Sequence, residues 1–362
     1  MVNHHKTITF ISLLFLLGCG NNKMASEQGK IKEAAYFDSL FTMYGNGFTG
    51  GDGVYSVELP DGRNVWIIGD TFLGSVTADF KRKKTDPLYI RNSFILQEGD
   101  SMTTLHQGEP HEFKSMMIPP EVEEGKMDEH EIWYWPGDAF VKDDTLHVFA
   151  TKFIQSDTGM WGFEYVETAL LSYSLPEIKE VRHQTIQGTK GLDVHFGHAV
   201  YQEEDFTYIY GLGRGGPCAA RATTSLVTNW EYWNGTKWSE NIEDTQPMIK
   251  TDGSEQFSIF KHDSRYIYLT REGGLGDRVY TFVGTSPVGP WSEKKEIYQT
   301  PIPFENENLF TYNTLAHPQF SDDSTFLISY NMNSQELSDH FSNAAIYRPR
   351  FARIPFSRIF NE

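Results

Sequence analysis

One pattern recurs five times along this chain: a small or polar cluster leads into a short strand, a polar turn follows, and a second apolar-aromatic strand returns. The first copy is Gly51-Asp52-Gly53-Val54-Tyr55-Ser56-Val57, turning at Pro60-Asp61-Gly62 and returning over 64–72. The second is Pro136-Gly137-Asp138-Ala139-Phe140-Val141 with the turn Lys142-Asp143-Asp144. The third is Phe196-Gly197-His198-Ala199-Val200-Tyr201 with Glu203-Glu204-Asp205. Ser254-Glu255-Gln256-Phe257-Ser258-Ile259 opens the fourth and turns at His262-Asp263-Ser264, and Leu315-Ala316-His317-Pro318-Gln319-Phe320 opens the fifth and turns at Ser321-Asp322-Asp323. With Asp52, Asp138, His198, Glu255 and His317 taken as equivalent, the period is about 60 residues, apart from a longer first interval with an insertion within 107–131.

Two more strand-like runs follow most of these hairpins, as over 92–97, 168–173, 219–226 and 279–285. A four-stranded unit of this length suits a propeller blade with long loops better than a solenoid repeat. The expectation is therefore an all-β, five-bladed β-propeller over 33–362, in one domain, with a pair of β-sandwiches as the alternative. Residues 344–354 supply strands to the last blade, and residues before Gly45 complete it and close the ring. Long helical periodicity is nearly absent, and 33–43 forms at most one short helix.

The opening stretch is set apart from the fold. His4, His5 and Lys6 precede an apolar run over 8–17, the length of a signal h-region and too short to span a bilayer. The run ends in Leu16-Leu17-Gly18-Cys19, which resembles the lipobox of bacterial lipoproteins. That resemblance implies a signal peptide over 1–18, lipidation of Cys19, a flexible tether over 19–32, and a chain held to the membrane by lipid. Each buried acyl CH₂ contributes about 0.8 kcal/mol, so several acyl chains anchor stably. Gly20 and Asn21 follow the cysteine where an inner-membrane retention signal would show aspartate, so the expected location is the cell envelope, at the outer membrane of a Gram-negative bacterium. The alternative is an ordinary secreted protein with a chance cysteine.

Once Cys19 is lipidated only Cys218 remains, so no intrachain disulfide forms and the fold rests on its apolar core. No cysteine-protease pattern surrounds Cys218, which reads as a buried thiol. The net charge of −18 argues against a nucleic acid partner, because the electrostatic attraction that dominates such binding would be reversed. A neutral or cationic ligand is easier to accommodate. Aromatic residues make up 14% of the chain, a level that suits both strands and surfaces that stack on sugars.

In a propeller the residue just before each inner strand points into the funnel at one face, which would gather Asp52, Asp138, His198, Glu255 and His317. The ends of the second strands return there with Asp70 and Arg271, and the third strand of the first unit starts with Arg91 and Asn92. Carboxylates, imidazoles and guanidinium groups beside Trp133, Tyr134 and Trp135 provide what sugar chemistry needs: acids and bases, hydroxyl partners and stacking rings. His195, His198 and His317 near Asp193 could hold a metal, but His-x-x-His on a strand is not the helical zinc spacing, and bonding to substrate is favoured. No metal or other cofactor is required, although the acidic oxygens leave room for a structural calcium.

Gly50-Gly51-Asp52-Gly53, Gly69-Asp70-Thr71-Phe72 and Tyr347-Arg348-Pro349-Arg350-Phe351 give the chain a resemblance to the five-bladed furanosidase-like propellers, the arabinanase- and fructosidase-type glycoside hydrolases, in a lipoprotein branch. The resemblance implies hydrolysis of a polysaccharide, furanose-containing and arabinan-like, by a monomer. It assigns Asp52 as general base, Asp138 as the carboxylate that tunes its neighbours and Glu255 as general acid, while Asp70, Arg91, Asn92, Trp135, His198, Arg271 and His317, gathered at the funnel, are expected to bind substrate. The chain departs from those enzymes in the third unit, where they carry the acid and this sequence has His198. The alternative function is a non-catalytic, glycan-binding surface lipoprotein of the same fold.

Overall fold

The computed structural model describes residues 31–43, 47–84, 89–109, 112–159, 161–203, 205–213, 215–223 and 225–360. The signal peptide, Cys19 and most of the tether lie outside them. Four-stranded antiparallel sheets follow one another along the chain. Blade I comprises Tyr55–Glu58, Asn64–Ile68, Ser93–Glu98 and Ser101–Leu105, and blade II comprises Ile132–Lys142, Thr145–Gln155, Phe163–Ser174 and Lys179–Thr185. Blade III begins at Val194–Glu203, continues through Phe206–Gly213, Gly216–Ala222 and Glu231–Trp233, and carries a fifth short strand, Trp238–Ser239. Blade IV runs Ser258–His262, Arg265–Arg271, Arg278–Gly284 and Lys295–Gln299. Blade V is Leu309–His317, Thr325–Ser334 and Pro349–Pro355, completed from the other end of the chain by Lys32–Glu33.

The first strands of the five blades touch in the cyclic order I, II, III, IV, V and back to I, which makes the architecture a closed five-bladed propeller. Ring closure is antiparallel pairing of Lys32 with Arg353 and Glu33 with Ala352. Turn chemistry supports the hairpins locally. Asp143 and Asp144 both adopt positive φ, 51° and 55°, as a two-residue turn that matches strand twist requires. The expected N-terminal helix is present as Ala35–Leu40, whereas 344–346 is a turn and only Pro349–Pro355 of that stretch is a strand.

The core is divided among the seams between blades. Tyr55, Ile67 and Phe94 pack on Tyr134, Val148 and Leu171 between blades I and II, and Phe149 and Leu170 pack on Phe196 and Ile209 between II and III. Tyr210 meets Phe257 and Tyr268 between III and IV, and Ile267 and Leu269 meet Phe326 and Ile328 between IV and V. At the closing seam Phe37 and Phe41 of the short helix join Trp66, Leu327 and Phe351. Cys218 is buried in the seam between II and III, and among the described residues it is a free thiol. No described helix is long and apolar enough to cross a membrane.

Arginines brace the closing seam. Arg82 donates to the carbonyls of His340 (2.6 Å), Thr49 (2.7 Å) and Ala344 (3.1 Å), and Arg348 donates to those of Thr49 (2.9 Å) and Met43 (2.8 Å). A hydrogen bond from a charged donor contributes about 1.5–3 kcal/mol, and stranded buried carbonyls cost about 1–3 kcal/mol each. Arg82→Met is therefore expected to lower unfolding free energy by about 3 kcal/mol or more in a urea titration. A loss below about 1 kcal/mol would mean that the seam does not depend on this cation.

Candidate active site

A cavity of about 910 Å³ opens at the end of the ring from which the inner strands set out. One wall is an aromatic cluster from blade II: Trp135 lies 5.5 Å from Trp133 and 4.9 Å from both Phe153 and Phe163, centroid to centroid. Trp161, in the turn between the second and third strands of that blade, is 64% exposed on the rim. Leu275 of blade IV and Leu337, in the helix Leu337–Ser342 of blade V, are also exposed there. Apolar side chains left open around a polar-floored cavity mark a ligand platform, because scattered ones elsewhere have no common focus.

Asp52 precedes the first strand of blade I, and Asp70 follows the second strand; both line the cavity. They are held close by the backbone, where Gly69 N–H donates to the Asp52 carbonyl at 2.7 Å. Burial and the charge of Asp70 push Asp52 up to about 7, against hydrogen bonds that Asp52 Oδ2 accepts from the hydroxyls of Tyr312 (2.5 Å) and Tyr347 (3.0 Å). Burial also raises Asp70, but Arg91 (Nη1 to Oδ2, 3.6 Å) and Trp135 (Nε1 donating to Oδ1, 2.8 Å) oppose it. Burial thus favours the protonated form of both carboxyls, and the partners that favour the charge, Arg91 and Trp135, act on Asp70. Arg91 is fixed by its place over the Trp133 ring, 3.9 Å from the centroid.

Asp138 and His198 occupy the same structural position, inside bulges of their inner strands, where register shifts between Pro136 and Ala139 and between Phe196 and Ala199. Their surroundings differ. Asp138 is directed into the seam rather than onto the cavity wall, its Oδ1 accepting from Ala139 N–H and its Oδ2 from Val200 N–H, both at 2.8 Å. Burial raises it to about 7 despite those bonds. His198 does line the cavity; it is 5% exposed, neither ring nitrogen has a partner among the described residues, and burial pulls it down to about 4, so it is a neutral imidazole.

Glu255 stands before the first strand of blade IV, exposed on the cavity wall, with its Oε1 3.3 Å from His195 Nδ1. Partial desolvation would raise it, but the His195 hydrogen bond and the imidazoles of His198 and His195 outweigh that and hold it below the usual carboxylate range. His195 is itself braced by Tyr165, ring on ring at 4.0 Å. The surroundings thus favour the proton on Asp52 and the charge on Glu255, the reverse of the roles the resemblance implies.

Besides Asp138, three expected site residues lie off the cavity wall. Asn92 is fully buried, tying Met117 and the Tyr134 carbonyl to blade I. Arg271 is sealed behind the wall, its Nη2 donating to Thr311 Oγ1 at 3.4 Å. His317 ends the inner strand of blade V rather than preceding it, at the far end of the blade, with Nδ1 2.6 Å from Ser56 Oγ and its ring against Trp66. The bulge position of blade V is Thr314, after a register shift that begins at Tyr312. Tyr312 and Tyr347, which both bond Asp52, line the cavity too, and the sequence reading gave neither a role in the site. No described group of three or more His, Cys, Asp or Glu could hold a metal, so neither calcium nor zinc is assigned to any residue.

An all-β ring of five blades with a carboxylate-bearing, aromatic-walled cavity at one end makes this protein a five-bladed β-propeller. Residues 34–357 match the family described as a domain of unknown function, DUF5005, and the chain belongs to that family. No curated protein matches it. Among solved structures, a putative hydrolase from Bacteroides ovatus is similar at 23% identity over 90% of each chain, with a TM-score of 0.78. A GH43_1 enzyme from Xanthomonas citri complexed with xylotriose is similar at 14% identity over 93% of each chain, TM-score 0.50. The GH43 protein BlXynB from Bacillus licheniformis is similar at 13% identity, over 90% of this chain and 54% of its own, also at 0.50. These likenesses establish the fold.

Because Asp138 is raised in the folded state, the stability it contributes is present below the ordinary carboxylate range and is lost as pH rises through about 7. Asp138→Asn is expected to flatten the fall in melting temperature between pH 5 and 8 relative to wild type. Parallel curves for the two proteins would show that Asp138 does not ionise at a cost.

Proposed function

We propose that this protein is a glycoside hydrolase that cleaves an O-glycosidic bond of a polysaccharide outside the cytoplasm. The observation that carries the reading is the pairing, in one aromatic-walled cavity, of a carboxyl whose surroundings favour the proton, Asp52, with one whose surroundings favour the charge, Glu255. Carboxyls whose surroundings separate their protonation states are what acid–base cleavage of an acetal requires. Asp52 gives its proton to the glycosidic oxygen as the C–O bond breaks. Glu255, oriented by His195, takes a proton from the water that adds to the anomeric carbon. Asp138 supports the bulge of blade II and acts at a distance, through the seam.

Among the described residues Arg91 is the one lysine or arginine on the cavity wall, and Asp70 is paired with it, while Asp157 and Glu255 add negative charge. A neutral sugar fits such a wall and an acidic one does not. Xylotriose bound by the Xanthomonas citri enzyme and the resemblance to arabinan-cleaving propellers make neutral pentose polymers the first substrates to try. His198, standing where the resembled enzymes carry their acid, favours one second reading, a glycan-binding protein without turnover.

Product release from arabinan, fructan, galactan and xylan by the purified protein tests both readings. Asp52→Asn and Glu255→Gln are each expected to slow polysaccharide hydrolysis by about 10²–10⁴-fold. With a p-nitrophenyl glycoside, whose leaving group needs no proton, Asp52→Asn should recover most of its rate and Glu255→Gln should not. Recovery in Glu255→Gln instead would restore the roles implied by the resemblance, and binding without product from any glycan would favour the second reading.

We also propose that the chain is exported as a monomer and lipid-anchored at Cys19, at the outer membrane. Support comes from Leu16-Leu17-Gly18-Cys19 after a short apolar run. Labelled palmitate should enter the wild-type protein in a Gram-negative host and fail to enter Cys19→Ala; equal labelling of both would refute the anchor.

A further inference from the structure

Two tyrosines brought from the end of the chain converge on a single oxygen of Asp52. Tyr312, at the start of the bulge in the inner strand of blade V, donates to Oδ2 at 2.5 Å and itself accepts from Asn333 Nδ2 at 2.9 Å. Asn333 cannot turn over, because its Oδ1 accepts from Ser334 N–H at 2.7 Å and its amide nitrogen must then face the tyrosine. Tyr347 donates to the same Oδ2 at 3.0 Å.

The backbone at Tyr347 is strained. Its φ is +66°, in the left-handed region that a bulky residue rarely adopts and that costs about 1–3 kcal/mol. The conformation is held from both sides: Tyr347 N–H donates to Met332 O at 3.1 Å, and Tyr347 O accepts from Gly51 N–H, one residue before Asp52, at 2.9 Å. Phe72 and His340 lie edge-on to its ring at 5.4 and 5.1 Å. Both phenols are buried and raised well above their ordinary range, so each stays neutral and keeps a hydroxyl proton to donate to Asp52. With Oδ2 occupied twice, the remaining oxygen is Oδ1, which lies against Gly69 on the cavity wall so closely that a Cβ there would come within 2.5 Å of it.

We propose that Tyr312 and Tyr347 are positioning residues, which occupy Oδ2 of Asp52 so that Oδ1 alone faces the sugar and carries the transferred proton. The inference rests on the reading of Asp52 as proton donor. As the proton leaves Oδ1 for the glycosidic oxygen, the electron pair of the breaking C–O bond stays with that oxygen. The new negative charge on Asp52 is then shared by two hydrogen bonds that become charge-assisted. Water supplies hydroxide to the anomeric carbon and its proton to Glu255; Glu255 then releases that proton to solvent and Asp52 takes one up, so the cycle closes with one water consumed. The other ionisable groups that act on Asp52 are Asp70 directly, Tyr89 on the same wall, and Arg91 and His130 through Asp70.

The test follows the carboxyl itself. The ¹³C carboxyl resonance of Asp52, assigned by its absence in Asp52→Asn, is titrated in the wild type, Tyr347→Phe and Tyr312→Phe. Removing either hydroxyl should move the titration upward by roughly one pH unit, a tenfold change in proton affinity. The alkaline limb of kcat/KM should move the same way, with kcat reduced about tenfold and KM nearly unchanged. Wild-type titration midpoints in both folded variants would overturn the proposal, as would a change confined to KM. The resonance needs no turnover, so a wild type that hydrolyses nothing would count against the hydrolase reading and its proton transfer, and would be seen separately from a failure of the two tyrosines to hold Asp52.

Discussion

The antiparallel pairing of Lys32–Glu33 with Pro349–Pro355 is the contact on which the rest of this molecule depends. Among the described residues no sheet ladder is shared between neighbouring blades, and this pairing is the one that brings the start of the chain into the sheet of the last blade. The pairing also covers what would be an open sheet edge. Its consequence for chemistry is direct. Closing the ring sets Tyr312 and Tyr347 of the last blade against Asp52 of the first, across 260 and 295 residues of sequence. The arginines at the seam serve the same closure, since Arg82 joins the carbonyl of Thr49 to those of His340 and Ala344, and Arg348 reaches from the last blade to the carbonyls of Thr49 and Met43.

The burial that stabilises the seams also sets the protonation of the site. A carboxyl loses solvation on leaving water, and whether it stays charged depends on what replaces the water. Asp70 has a guanidinium and an indole N–H, Asp52 has two phenols and a neighbouring charge, and Asp138 has only two backbone N–H groups. Glu255 remains open to the cavity and has imidazoles beside it. Four carboxyls of similar intrinsic acidity thereby acquire different states. None of those differences follows from residue type.

Much of the architecture was legible because strand alternation and turn chemistry are local. The Lys142-Asp143-Asp144 and His262-Asp263-Ser264 turns, the third strands and the composite last blade could all be read from spacing. The fifth copy shows where spacing fails. His317 looked like a strand opener because a polar cluster and an apolar run surround it, yet the strand starts at Leu309 and bulges after Tyr312. A bulge inserts a residue and shifts the period-two pattern, so alternation places the strand but not its facing. Asn92 and Arg271 were misplaced for a related reason: their strands were read correctly, but a side chain's depth in a seam depends on the neighbouring blade.

The sequence by itself determined that the chain is a ring of five antiparallel sheets, with Asp52, Asp70, Arg91, Trp135, His198 and Glu255 toward one end, because each rests on contacts within one hairpin or on the repeat of that hairpin. Only the tertiary structure decided which carboxyl keeps its proton, that Asp138 turns into a seam, and that two distant tyrosines fix one oxygen of Asp52. Electrostatic environment is a sum over neighbours from every blade, and in a closed ring most of those neighbours are remote in sequence.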